Sequence, residues 1–583
     1  MDPLQILRHS CAHLCAYALK DLYPDVQLAI GPDIDNGFYY DIDMEHTLVP
    51  ADLKAIEKKM KKLSNQDLKF EKYELPIDEA IEKMEKENLI YKVEMAKDLK
   101  EAGETTIGFY KNVDKDGNVK FEDMCQGPHI ESIKDIVSFK LAKLAGAYWR
   151  GDSNKKMLQR IYGYCFEKEE ELKEYQRLLI EAEKRDHRKI GKELDLFSLH
   201  EEGPGFPFWH PRGTELYNTV QNFAREENKK RGYDEIMTPV ILNKELWVTS
   251  GHWDKFADNM YFTEIDGEDY AVKPMNCPGG LVIFKNETHS YRDLPVRRAE
   301  FGYVHRHEKS GVLHGLFRVR AFTQDDAHTF CTPDQLNKEI IGMVEYAMYI
   351  YKSFGFKDFE IFIATKPDKF IGEDSDWDKA TKALENSLDD QKLEYKIKEG
   401  EGAFYGPKIE FNIKDSLGRN WQCGTIQVDF SMPDRFGARY TDSQGEKQSP
   451  VMVHRAILGS LERFIAIVIE HFAGALPFWL APEQIRVIPV SDKFDDYARL
   501  VEEAFKKEGF NVSLDITNES LGKKIRNAEK MKIPKMFVVG EQEEKDKSIS
   551  VRDYFTKNQE VFPMDDVIKN LHELKKNRVI ENL

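Results

Sequence analysis

Apolar positions change rhythm several times along the chain. From Ile6 to about Gly163, short alternating runs such as GFYYDID at Gly37 mix with helical spacings, which predicts a body of strands and helices. From Phe166 to Leu194 charge is dense, and Leu172, Tyr175, Leu179 and Ala182 recur at helical intervals. That pattern predicts a partly solvated helix joining two bodies. From Phe197 to Pro482 strand-like stretches dominate, as in PVRRAEFGYVHRHE and RNWQCGTIQVDF. Beyond Pro482 the apolar runs IRVIPV, FNVSLDI and PKMFVVG alternate with helical stretches from Asp496 and Ser520, the pattern of a small α/β domain. HRAILGSLERF, from His454, has helical spacing. On one helix His454 and Arg463 would project from roughly opposite faces and touch two parts of a pocket.

A chain of 583 residues is too long for one core, and 41% hydrophobic residues suffice for several. The most apolar stretch, Phe464–Ala481, is broken by Glu470, His471 and Pro477, so no membrane span is expected. The opening MDPLQILRHS lacks the pattern of an export signal, and seven scattered cysteines suit reduced thiols; a cytoplasmic protein is expected. A net charge of -18 argues against general affinity for nucleic acid, though not against local basic surfaces. One candidate runs from Lys523 to Lys535, where Lys523, Lys524, Arg526, Lys530, Lys532 and Lys535 face only Glu529. A solvated helix face would look the same.

Candidate chemistry concentrates in two places. RRAEFGYVHRHEKSGVLHGLFRVRAFTQDDAH, Arg297 to His328, is dense in Arg and His. Arg306 and Arg318 are suited as planar forks for carboxylate or phosphate, although a salt-bridged strand pair would carry the same residues. Near the start, His9 and His13 share a helical face, and Cys125 and His129 have the same spacing in MCQGPH. With 16 histidines in the chain, the first pair alone is weak evidence. No GxxxxGK[ST] loop exists, so a P-loop mechanism is unsupported.

The Arg306 and Glu308 pair, FTQDDAH and HRAILGSLERF resemble motifs 2 and 3 of class II aminoacyl-tRNA synthetases; RGYDEIMTPVI, with Pro239, resembles motif 1, which in that class builds a homodimer interface. MNCPGG at Met275, DDAH at Asp325 and VHRAILGS at Val453 together resemble the threonyl-tRNA synthetase family, over nearly the whole chain. The implied fold is multidomain α+β and α/β. It comprises an α+β editing domain at 1–163, a linker helix at 164–194, a class II antiparallel-sheet catalytic core at 195–482 and an α/β anticodon-binding domain at 483–583. The implied activity is ATP-dependent formation of threonyl-adenylate and transfer of threonine to tRNA(Thr), with hydrolysis of mischarged Ser-tRNA(Thr).

The resemblance also implies residue roles. Cys277, His328 and His454 would hold one Zn2+ per subunit, leaving a coordination position open. Zinc grasping amino group and hydroxyl would separate threonine from valine, which an apolar pocket cannot do strongly. Arg306, Gln324, Asp326, Tyr405 and Gln427 would bind threonine; Glu308, Arg318, Phe322, Gln422, Thr425 and Arg463 would bind ATP with its Mg2+. Arg306 and Arg463 are the catalytic candidates, and adenine would lie between Phe322 and Arg463. Serine keeps the hydroxyl and loses one methyl group, worth about 1–3 kcal/mol, so a second sieve is expected. His9, His13, Tyr40, Asp123, Cys125 and His129, with AIGPDIDNGFYYD between, resemble the editing domain shared by threonyl and alanyl enzymes. A Cys/His₃ metal site is one reading of these residues; metal-free histidines that orient water are the preferred one.

ITNESLGKKIR resembles the anticodon-binding domain, with Asn518 and Arg526 at base-contacting positions and Glu543 and Arg552 matched less securely. The chain departs from the family pattern at Gly280, where a histidine is common, and in DYFTKNQEVF after Arg552. It also begins at the editing domain, so a form without the N-terminal ubiquitin-like domain is expected. The alternatives are a sister synthetase of the prolyl type and a synthetase-like RNA-binding regulator. Loss of Arg306 or Arg463 would mark the regulator, and both are present.

Overall fold

The computed structural model describes residues 2–152 and 154–580, which divide into two compact units, Met1–Ile180 and Glu181–Leu583. The first unit opens with helix α1 (Pro3–Leu22), started by a capping box between Asp2 and Gln5 and by Pro3 in the first turn. Cys11, Leu14, Cys15 and Ala18 bury α1 deeply among β1 (Gly37–Asp43) and α2 (Pro50–Ser64). Phe38, Tyr40 and Ile42 alternate inward from β1, as the period-2 pattern requires. Between them Asp41 is buried too, held by Arg160 through bonds of 2.6 and 2.8 Å.

Strands β2 (Lys69–Pro76), β3 (Thr106–Val113) and β4 (Val119–Met124) form one antiparallel sheet, and α3 (Ile90–Glu101) lies between the first two in sequence. In the other sheet β5 (Ser138–Tyr148) pairs with β6 (Met157–Phe166), which pairs with β1.

The predicted linker helix is two helices, α4 (Glu169–Arg185) and α5 (His187–Glu193). Asp186 leaves the helical conformation and its carboxylate accepts the Arg188 N–H at 2.8 Å, so it starts α5 afresh.

The second unit is built on an eight-stranded sheet. In spatial order it runs β7 (Asp234–Glu235), β8 (Val296–His305), β9 (Ala321–Cys331), β14 (Val451–Ser460), β13 (Asn420–Asp429), β12 (Lys408–Lys414), β10 (Phe359–Ala364) and β11 (Lys396–Lys398). The two edge pairings are parallel and the rest antiparallel. Helices α6 (Pro211–Lys230), α8 (Leu336–Ser353) and α9 (Leu461–His471) cover one face with Val220, Phe223, Met343, Ala347, Phe464 and Ile465. The opposite face carries the polar residues of the site.

HRAILGSLERF is not one helix. Val451–Ser460 is strand and the helix begins only at Leu461. Strands on both sides claim the VMVHRAIL stretch, overriding its helical spacing. Gly459, at φ +79°, turns the chain where a side chain would meet the Cys423 carbonyl at 2.7 Å. Ser460 then caps α9 by accepting the Arg463 N–H at 3.0 Å.

The C-terminal region forms the expected small α/β body. Its sheet runs β16 (Val512–Leu514), β15 (Ile485–Pro489), β17 (Lys535–Val539), β18 (Ser548–Asp553) and β19 (Gln559–Pro563), the first three parallel, with α10 (Asp495–Lys507) and α11 (Leu521–Lys530) as crossovers. The basic run at 523–535 is not a single surface. Lys524 is buried in α11, Lys535 is buried in β17 beside Asp553, and Lys532 reaches the Ala473 carbonyl. Arg526 and Lys530 remain exposed.

Candidate active site

Three neighbouring strands bring the predicted centre together by register. His328 on β9 stands opposite His454 on β14, which stands opposite Gln427 on β13; Asp326, Ala456 and Thr425 form the next row. Cys277 opens helix α7 (Cys277–Lys285). The Cys277, His328 and His454 ligand atoms lie within 4.8 Å of one another, and all three residues are buried. Tetrahedral zinc places neighbouring N and S donors about 3.3–3.8 Å apart, so the trio fits with little closure. His328 Nε2 is buried and lacks a hydrogen-bond partner, and His454 Nε2 lies 3.2 Å from Asp429 Oδ2, the carboxylate–imidazole arrangement that orients metal ligands. Burial pushes the Cys277 thiol well up and the His328 imidazole well down from their ordinary ranges. A cation would hold the sulfur as thiolate and use the His328 imidazole in the neutral form that burial favours. Across from the trio, a Cβ at Gly280 would lie 3.2 Å from His328 Nδ1.

The adjacent acids Asp325 and Asp326 part company. Asp325 points to the packed face and accepts the N–H groups of Ile457, Leu458 and Gly459 at 2.9, 3.0 and 2.9 Å. Even so, burial pushes its carboxyl up to about 6. Asp326 points to the site, 3.6 Å from His328 Nε2, and accepts from Asn276 at 3.3 Å. Tyr405 sits with its ring 5.2 Å from that of His454. Gln427 donates to the Gly406 carbonyl at 3.0 Å, so its amide holds the Tyr405 loop. Gln324 Oε1 is buried without a partner.

Arg306 donates through Nε to the Pro274 carbonyl at 3.3 Å, and its guanidinium lies 5.1 Å from the Phe322 ring centre and 5.5 Å from that of Phe256. Arg318 pairs with Glu308 at 2.9 Å, but both residues lie in the loop between β8 and β9, so the pair is not the salt-bridged strand pair weighed for this stretch. Arg463, in the first turn of α9, has a buried Nε with no partner. A register shift opposite Phe411 and Asn412 brings Gln422 back to the face that carries Thr425. Asn276, Asp429 and the buried Lys273–Glu300 pair, at 2.8 Å, support the centre and had no sequence signal beyond the motifs around them.

The first unit contains a cavity of about 640 Å³ lined by His9, His13, Tyr40, Lys92, Asp123 and Cys125, among others. His9 Nε2 lies 3.0 Å and His129 Nε2 3.3 Å from Cys125 Sγ. Ser10 donates its hydroxyl proton to the Ile6 carbonyl at 2.8 Å, so its oxygen accepts from His129 Nδ1 at 3.0 Å, which fixes that tautomer. The possible four-ligand set is a trio, because His9, Cys125 and His129 converge and His13 does not. His13 instead packs edge-on against Phe70, Phe121 and His129. Burial lowers all three imidazoles, His13 to about 4, and pushes the Cys125 thiol up to about 11. Tyr40 donates to Asp123 at 2.8 Å, and Lys92 pairs with the same carboxylate at 2.9 Å, both groups buried. Lys92 and Ser10 escaped sequence reasoning, since a lysine in a charged helix looks solvated.

Of the four C-terminal candidates, Asn518 and Arg526 are exposed, Asn518 in the loop before α11 and Arg526 midway along it. Glu543 is spent on the Gly540 N–H at 2.9 Å and Arg552 on Glu529 at 3.1 Å.

Three family descriptions match the chain: "tRNA synthetase class II core domain (G, H, P, S and T)" at residues 261–472, "Anticodon binding domain" at 484–574, and "Threonyl and Alanyl tRNA synthetase second additional domain" at 110–162. The threonine–tRNA ligase of Acetivibrio thermocellus is 52% identical over 573 residues, 98% of this chain and 88% of that one. The enzyme of that name from Clostridium kluyveri is 53% identical over 569 residues, with 98% and 88% covered. A solved structure, the RNA binding domain of threonyl-tRNA synthetase from Cryptosporidium parvum Iowa II, matches with a TM-score of 0.65 and 42% identity, over 67% of this chain and 98% of that one.

Proposed function

The chain belongs to the threonyl-tRNA synthetase family of class II ligases, and from that premise we propose how its residues divide the reaction. The activity is ATP-dependent ligation of threonine to tRNA. Threonine carboxylate attacks the α-phosphate of ATP, pyrophosphate leaves, and the terminal ribose 3′-hydroxyl of tRNA(Thr) then takes the threonyl group as AMP departs. The high identity to threonine enzymes favours this reading over the prolyl and regulator alternatives.

The convergence of Cys277, His328 and His454 on one point beside Asp326 carries the assignment of the threonine pocket. Zinc held by these three residues would supply a Lewis-acidic position for the substrate amino group and hydroxyl. Asp326 accepts the hydroxyl proton in a hydrogen bond, which valine cannot offer, and leaving that carboxylate desolvated costs valine a factor of about 10⁴ or more. Gln324, whose Oε1 is buried and unpartnered, accepts from the amino group, and Gln427 steadies Tyr405 beside it. Arg306 neutralises carboxylate and α-phosphate together, which is mostly a matter of positioning and charge. Adenine stacks between Phe322 and Arg463, with Arg306 moving off the Phe322 ring. Glu308, Arg318, Gln422 and Thr425 complete the site for ATP, which arrives with Mg2+.

In the cavity of the first unit we place hydrolysis of Ser-tRNA(Thr). Neutral His9 and His13, which line the cavity, orient water and the ribose hydroxyl, His129 holds Cys125 behind them, and Lys92, paired with Asp123, faces the acyl end. We favour a metal-free site. Asn518 and Arg526 read the anticodon, with Glu543 and Arg552 shaping the surface. Exposed Met237, Val240, Ile241 and Val282 support a homodimer through the motif 1 segment. All seven cysteines are free, which suits the cytoplasm, and no described helix is long and apolar enough to cross a membrane.

Aminoacylation with threonine and serine, using native protein and a His9→Ala/His13→Ala variant, tests the two-site reading. Ser-tRNA should accumulate only in the variant, with threonine activation unchanged; equal Ser-tRNA in both would remove the editing assignment.

A further inference from the structure

Away from substrate, a buried constellation grips the loop that joins β8 to β9. His187, the first residue of α5, is fully buried. Its Nδ1 lies 2.7 Å from Glu470 Oε1, which also accepts the His187 backbone N–H at 3.0 Å. Its Nε2 accepts the N–H of Leu316 at 2.9 Å. A backbone N–H can only donate, so Nε2 is the bare nitrogen and Nδ1 carries the proton toward Glu470. Asp186, His187 and Glu470 lie close enough for a metal, but both ring nitrogens are already committed.

The loop is built around this imidazole. At Gly315, φ is +50° and a Cβ would stand 2.2 Å from His187 Nε2. Leu316 is fully buried in the main core. The Phe317 ring lies 4.3 Å from that of His187 and stacks at 4.3 Å on Trp421. Arg419, beside Trp421, pairs with the other oxygen of Glu470 at 2.7 Å. One residue past Phe317, Arg318 pairs with Glu308, and Arg320 Nε holds the Glu308 carbonyl at 2.9 Å.

We propose that His187 is a positioning residue for nucleotide binding: held by Glu470, it fixes the Gly315–Phe317 turn and thereby aims Arg318 and Glu308. The inference rests on the reading of those two residues as ATP contacts. His187 is fully buried, and of the threonine contacts proposed above only Arg306 borders this loop, where the Pro274 carbonyl holds it separately, so loss of His187 should fall on ATP and leave the threonine KM near native.

Near-isosteric variants separate the two halves of the imidazole. In His187→Asn an amide nitrogen takes the Nδ1 role toward Glu470 while the Leu316 N–H loses its acceptor. In His187→Gln an amide oxygen reaches the Nε2 position and keeps it. Threonine-dependent ATP–pyrophosphate exchange on the full chain gives kcat and both KM values, with Arg318→Ala as reference. The ATP KM should rise about tenfold in His187→Asn and less than about threefold in His187→Gln, with the threonine KM unchanged. Should His187→Asn not fold, Glu470→Gln, which keeps an oxygen for the imidazole but no charge, should raise the ATP KM by about threefold. A native ATP KM in His187→Asn, or in Glu470→Gln where that stands in, overturns the inference if Arg318→Ala raises it. So does a joint rise of both KM values with a lowered melting temperature. A native ATP KM in Arg318→Ala overturns the nucleotide reading itself, and the inference with it.

Discussion

Asp325 and Asp326 share a side chain and a neighbourhood, yet strand alternation sends one to the packed face and one to the pocket. Replacing Asp325 by Asn removes charge from an acceptor of three backbone N–H groups, and thermal or urea unfolding should record a loss of about 2 kcal/mol with threonine selectivity intact. Asp326→Asn should do the reverse, preserving stability while eroding preference for threonine over valine in ATP–pyrophosphate exchange. Lys92 makes the same point in the first unit. Lys92→Met leaves Asp123 buried with Tyr40 as its remaining polar support, which should cost about 3–5 kcal/mol of that unit's stability and abolish Ser-tRNA hydrolysis. A variant with native stability and native hydrolysis would contradict both roles. Motif spelling exposed the residues with unusual chemistry, the cysteine and the histidines. It did not expose Lys92, Ser10 or Asn276, because their work depends on burial that only distant segments supply.

At the scale of elements, strand periodicity in the C-terminal body was legible because each apolar run is short, β-branched and bounded by helices. HRAILGSLERF departs from its helical spacing because pairing on both sides of β14 outweighs local pattern, and because Gly459 and Ser460 hide a strand end and a helix start inside one motif. The corrected geometry serves the site better, since a strand supplies His454 and a helix N-terminus supplies Arg463. The far end of α9 is tuned by His471, whose Nδ1 accepts the Ser416 N–H at 3.1 Å and which burial lowers to about 4. The unfolded chain binds this proton near pH 6.5 and the folded one does not. Stability is therefore present above about pH 6.5 and is lost as pH falls toward 4, by about 3 kcal/mol at most. His471→Asn keeps an acceptor without the titration, so its stability curve should flatten across that window relative to native protein. Parallel curves would show that the imidazole is not the titrating group.

On the scale of the whole molecule, each compact unit holds its own candidate centre: the Cys277, His328 and His454 trio lies in Glu181–Leu583 and the cavity lined by His9, His13 and Cys125 in Met1–Ile180. Calorimetry should therefore resolve more than one transition, and a chelator should lower only the one belonging to the larger unit. A single transition, or a chelator effect on the smaller unit expressed alone, would contradict this division. The trio itself could not have been found from spacing, because its members are separated by long stretches of sequence and meet only through strand register. The most direct test is zinc content measured together with threonine and valine activation, in native protein and in Cys277→Ala. The account predicts one zinc per subunit and strong threonine preference in the native chain, both lost in the variant. Zinc-free protein that still prefers threonine to valine by orders of magnitude would contradict it.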